Sequence, residues 1–190
     1  MERTFELSGG RKLVIDYDTW ADNPRNWDNL SKMICFHRRY DLGDKHSYSH
    51  QDYDSWDEME RDIIKNEDVA IILPLYLYDH SGITISTSPF SCPWDSGQVG
   101  FVYVSKDAIR KEYDVKRITK NVKDKATQIL LAEIDIYDKY IGGEVYGFQI
   151  LSEDDDVEDS CWGFYGSDIE NNGILDNLSS EDYEQVKQQL

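Results

Sequence analysis

Between Thr119 and Ile141 the apolar residues Val122, Ala126, Ile129, Leu130, Ile134, Tyr137 and Ile141 recur at three- and four-residue intervals. That spacing lines one face of a helix and leaves the other face polar. The helix is expected to start at Thr119, and Gly142-Gly143 ends it, because glycine takes the left-handed backbone that ends a helix. A helix over 119–141 must bury its stripe, and the rest of the chain offers mainly short segments that alternate with period two. Phe5 and Leu7, then Leu13 and Ile15, flank Ser8-Gly9-Gly10, which predicts a hairpin over 1–16. Residues 69–78, bent or broken near Pro74, and residues 83–87, 98–104, 144–151 and 161–165 read as further strands. In the 144–151 strand Tyr146, Phe148 and Ile150 share one face, and Val145, Gly147, Gln149 and Leu151 the other. Residues 30–37 fit a short helix or a strand.

Short helices complete the pattern. Ser55 followed by Glu58 is a capping box ahead of Trp56, Met59, Ile63 and Ile64, which predicts a helix over 56–66. Ser105 caps a second over 106–112, and residues 167–177 and 180–189 suggest two more. The expectation is an α+β fold: a single domain with a mostly antiparallel sheet, one long helix and several short ones. Residues 1–166 would form its core, and 167–190 an acidic helical segment packed on that core or extending from it.

Charge narrows the function. Thirty-eight acidic side chains stand against 20 basic ones, a net charge of −18. Solubility asks for only about 2–8 units in a small domain. With 13 tyrosines and five tryptophans the chain is no disordered acidic tail. Phosphates would be repelled, so direct nucleic-acid binding is not expected. A basic partner would be attracted, and such partners are often proteins whose own ligand is DNA or RNA. The acidity is clustered. Residues 41–68 carry −7 (three bases, ten acids) and residues 143–190 carry −12 (one base, thirteen acids). A surface serving solubility or salt tolerance alone would intersperse its signs. Asp52, Asp54, Asp57 and Glu58 in the first block, and Glu153, Asp154, Asp155, Asp156, Glu158 and Asp159 in the second, are therefore the candidate partner contacts. Closely spaced carboxylates match arginine forks and can imitate a track of phosphates. The loop over 16–29 is expected to carry Trp20 and Trp27 back onto the core. The loop over 88–97, stiffened by Pro89 and Pro93, presents Trp94 as a candidate interface anchor.

The catalytic options are thinner. Asp79-His80-Ser81 holds the three residue types of a hydrolytic triad, but neighbours on an extended chain point apart and no G-x-S-x-G turn is present. Cys92 lacks a base nearby in sequence, and Pro93 removes a backbone donor. His46 and His50 stand four apart without the flanking residues of a zinc helix, and the acidic run at 153–159 lacks the glycine of a calcium loop. No catalytic residue, metal or cofactor is expected. The alternatives are a small-substrate enzyme with Asp79, His80, Cys92 and Asp95 near one cleft, or an accessory binding domain of a mobile element. The charged start, the lack of a long apolar run and three widely spaced cysteines point to a soluble protein of a reducing cytoplasm, with no membrane partner.

A longer resemblance sits on these same segments. Leu75-Tyr76-Leu77-Tyr78-Asp79-His80-Ser81-Gly82 and its continuation through Ser88-Pro89-Phe90-Ser91-Cys92-Pro93-Trp94-Asp95 to Phe101 resemble a family carried by bacteriophages and conjugative elements. So do Asn26-Trp27-Asp28-Asn29-Leu30, Tyr53-Asp54-Ser55-Trp56 and Ser160-Cys161-Trp162-Gly163-Phe164-Tyr165-Gly166. The family is identified as including a type II-A anti-CRISPR, an inhibitor of the RNA-guided DNA-cutting nuclease. The resemblance implies a non-enzymatic inhibitor in a bacterial cytoplasm. It would bind the nuclease with its guide RNA in the positively charged nucleic-acid channel, partly by DNA mimicry. Blocking DNA access and preventing domain docking follow from it equally.

Overall fold

Twelve elements carry the chain in the computed structural model, which describes residues 3–190. They are β1 (Arg3–Glu6), β2 (Lys12–Tyr17), β3 (Lys32–Cys35), α1 (Trp56–Asn66), β4 (Val69–Asp79), β5 (Ile83–Ser86), β6 (Ser96–Ser105), α2 (Lys106–Glu112), α3 (Lys120–Ile141), β7 (Val145–Leu151), β8 (Val157–Tyr165) and α4 (Ser180–Lys187). The strands form two four-stranded antiparallel sheets, so the class is α+β, as the periodicities predict. Each sheet belongs to its own compact unit.

The first unit holds the described residues through Asn23 together with Lys139–Leu190. Its sheet runs β1-β2-β7-β8, and the residues between β2 and β7 supply the second unit. Alternation works as expected: Leu13 and Ile15 of β2, Tyr146, Phe148 and Ile150 of β7, and Phe164 of β8 share one buried cluster. Ile169, Ile174, Leu175 and Val186 complete that cluster from the C-terminal segment. Helix α4 also covers one sheet edge. Gln189 pairs its side-chain amide with both backbone groups of Glu6, and Arg11 holds the buried carboxylate of Asp182 at 2.6 Å. The other edge, β8, carries exposed residues from Val157 to Ser160.

The second unit, Pro24–Asp138, orders its strands β3-β6-β4-β5. Central β6 is buried on both faces: Phe101 and Tyr103 pack with Met59 and Ile63 of α1, while Val102 and Val104 occupy the opposite side. Ser55 and Ser105 cap α1 and α2 as expected, each accepting a backbone N–H three residues on. Helix α3 buries Ala126, Leu130, Ile134 and Tyr137. After it, Gly143 at φ 74° lets Glu144 N–H reach the Lys139 carbonyl.

The structure decides three local expectations. Strand β4 runs through Pro74, with its irregularity one step on, between Leu75 and Tyr76. Strand β5 starts pairing only at Tyr76, so at Pro74 one side of β4 has no strand to bond, and the missing N–H is tolerated there. Residues 167–177 form turns and one 3-10 turn at Leu175–Asn177 instead of a helix, with Asp168 and Asn172 bonding nearby backbone N–H groups. Within residues 30–37, which fit a short helix or a strand, Lys32–Cys35 form strand β3 and pair with β6.

Candidate functional site

The acidic run from Glu153 to Asp159 is part turn and part strand. Ser152 builds the turn: its Oγ accepts from Asp154 N–H at 3.2 Å and Asp156 N–H at 3.1 Å, and its backbone pairs with Asp156 and Asp155. Asp155 takes a left-handed backbone with φ 63°. The expected acidic loop therefore ends at Asp156, and β8 begins four residues earlier than the aromatic pattern suggests. Asp159 pairs with Ile150 and Val157 with Leu151, with a bulge between them. The sequence missed this extension because neither Glu158 nor Asp159 favours a strand on its own. All six acidic side chains are exposed. Lys12 sits 3.4 Å from Asp155 and Arg11 3.9 Å from Glu158. Two exposed ion pairs of this kind contribute little and leave most of the run unneutralised.

The other acidic block opens α1. Glu58 accepts the Asp54 N–H at 2.8 Å while its own N–H bonds Ser55 Oγ, so this carboxylate serves the cap. Asp62 accepts the Tyr53 hydroxyl at 2.7 Å, and that bond pushes Tyr53 up to about 12. Asp52, Asp54 and Asp57 are exposed and remain open to a partner. Acids at this helix end also favour α1 electrostatically.

The four residues of the enzyme alternative do converge. Asp79 N–H bonds the Asp95 carbonyl at 2.8 Å, His80 Nδ1 lies 3.3 Å from Asp95 Oδ2, and Cys92 Sγ lies 3.7 Å from the same oxygen. The order is wrong for nucleophile activation. The carboxylate stands between thiol and imidazole, whereas an activated cysteine needs the base at its sulfur. Asp79 is engaged by Arg39, with His37 at 3.9 Å. Burial, then Arg39 and Arg38, push the His37 pKa down. A shallow 320 Å³ cavity beside Asp79 and Asp95 has Trp94 on its rim, and Trp94 is 91% exposed. Among the described residues no cluster of three His, Cys, Asp or Glu could hold a metal ion. Cys35, Cys92 and Cys161 are free thiols. Among the described residues no helix is long and apolar enough to cross a membrane.

Trp20 corrects the sequence reading most sharply. It does not return to the core but is 92% exposed, and Trp27, Tyr17 and Trp162 are each nearly half exposed. Trp162 packs against Gly147, its cross-strand partner; a Cβ at Gly147 would fall 2.1 Å from the indole. A glycine inside a predicted strand was the available signal, since a strand interior gives up a side chain where something approaches closely. Comparison with protein-family models, curated proteins and solved structures finds no match to the chain.

Proposed function

We propose that this chain is a non-enzymatic inhibitor of a nucleic-acid enzyme, binding the basic channel in which that enzyme holds its nucleic acid. The observation that carries the reading is the exposed acidic run on β8 and the turn before it, ordered by Ser152 and barely neutralised. The turn gathers Glu153 to Asp156 at the end of the β7–β8 hairpin, next to Glu158 and Asp159 on β8, so six acids in seven residues concentrate their charge at one place. The family resemblance names the target: the type II-A RNA-guided nuclease with its guide RNA, whose channel is basic. Asp52, Asp54 and Asp57 offer a second set of contacts.

The test is a cleavage assay with purified nuclease, guide, target DNA and rising amounts of this protein at two salt concentrations. Loss of cleavage that weakens at higher salt is expected, because exposed charges are screened. A variant with Asp154, Asp156, Glu158 and Asp159 changed to lysine, and Asp155 to asparagine to suit its backbone, should inhibit at least about tenfold less at unchanged thermal stability. Full cleavage at every dose would sink the reading. The convergence of Asp79, His80, Cys92 and Asp95 favours a rival, a small-substrate enzyme. An H80A/C92A variant separates the two, since an inhibitor keeps its effect without those side chains.

A further inference from the structure

The first unit contains a cavity of about 690 Å³ walled by Tyr17, Trp20 and Trp162, with Asp16, Asp18 and Thr19 completing its lining. Among the described residues no basic side chain lines it. Three aromatic rings so exposed are costly to leave in water, and two of them, Tyr17 and Trp162, pack on the sheet. Tyr17 packs on Tyr146 with ring centroids 5.1 Å apart. Trp162 is seated on Gly147. The backbone N–H of Trp20 bonds Asp18 Oδ1 at 3.1 Å. Asp16 Oδ1 likewise accepts the Tyr17 N–H at 2.7 Å, so each carboxylate holds nearby backbone through one oxygen.

Aromatic faces carry negative potential, and indole is the strongest of them. Two carboxylates beside two indoles and a phenol make a pocket selective for a cation with apolar flanks. We infer that this cavity receives an arginine side chain of the protein partner. Guanidinium is planar, is weakly hydrated and stacks on aromatic rings while forking to a carboxylate, which a lysine ammonium cannot do. The inference rests on the reading of the chain as a binder of a basic protein, and it adds a specific anchor to the diffuse attraction of the acidic run. Such packed aromatic and arginine contacts dominate binding energy at interfaces.

The probe is acetyl-arginine amide, titrated into the isotope-labelled protein while the indole N–H signals are followed by NMR. Acetyl-citrulline amide serves as the neutral isostere, acetyl-lysine amide (free side-chain amine) as the alternative cation, and tetramethylammonium as a quaternary one. Saturable shifts of the Trp20 and Trp162 signals with the arginine compound, at least about tenfold stronger than with citrulline, are expected. D16N/D18N, which keeps the shape and the backbone acceptors, should weaken them to the citrulline level, and W20A should abolish the Trp162 shift. Equal response to arginine and citrulline, or an unchanged response in D16N/D18N, overturns the inference. Tighter binding of lysine or tetramethylammonium overturns its assignment to arginine. The measurement uses no nuclease. Arginine binding without nuclease inhibition would fault the target, and inhibition left intact by W20A and D16N/D18N would fault the pocket.

Discussion

Arg25 shows how much of this chain's acidity is spent internally. Its side chain is 2% exposed; Nε and Nη2 fork to Asp44 at 3.0 and 2.7 Å, Nη2 also reaches the Ser31 carbonyl, and Nη1 lies 3.7 Å from Glu133. The two acids in turn hold backbone: Asp44 accepts from Met33 N–H, and Glu133 from Leu30 and Ser31. Arg25→Ala would leave two carboxylates facing each other without their cation, an effect of about 3–5 kcal/mol. Arg25→Lys should recover only part of it, since an ammonium cannot make the fork. Urea denaturation of the two variants reads this, and equal stability of R25A and the parent would refute it. Nothing in the sequence marked Arg25 apart from its neighbours. Its partners lie 19 and 108 positions away, so only the fold brings the three together.

Among elements, two strand glycines separate what a sheet can absorb from what it cannot. A Cβ at Gly100 of β6 would fall 1.8 Å from the Ile34 carbonyl oxygen of β3, against backbone fixed by the ladder. At Gly147 of β7 the obstacle is the Trp162 ring, which can swing toward solvent. Gly100→Ala should therefore lower the urea midpoint clearly more than Gly147→Ala, whose main signature would be a shift in tryptophan emission. Reversal of that order would mean that β3 yields more readily than the indole. Caps and alternation were legible in the chain because they depend on neighbours two to four residues apart, as Ser55 with Glu58 and Tyr146 with Phe148 illustrate. The length of β8 was not, because Glu158 and Asp159 are drawn into the strand by pairing with β7.

At the scale of the molecule, tyrosine protonation sets an alkaline limit. The hydrogen bond to Asp62 pushes Tyr53 up to about 12, and burial pushes Tyr137 up to about 12; Tyr48 and Tyr103 move up as well, chiefly through burial. Each folded value lies above the ordinary 10, so the folded state favours the neutral phenol. That stability is complete below pH 10 and is lost as pH rises from 10 toward 12. The excess of negative charge acts in the same direction. Urea midpoints measured across this window should fall while the phenolate absorbance rises with them. A flat midpoint would show these hydroxyls ionising without cost to the fold.

The sequence by itself determined the class of fold, the long helix with its caps, the faces of β2 and β7, and the uneven acidity, since these are properties of local spacing and of composition. Only the tertiary structure decided which acids remain available. It engages Glu58 in a cap, Asp62 in a tyrosine hydrogen bond and Glu133 and Asp182 in ion pairs, and leaves Glu153–Asp159 exposed. It also decided that Tyr17, Trp20 and Trp162 share one cavity, because the pairings of β2 with β7 and of β7 with β8 join segments distant in the chain. Such pairings are selected by burial of the whole sheet face, which no local window of residues contains.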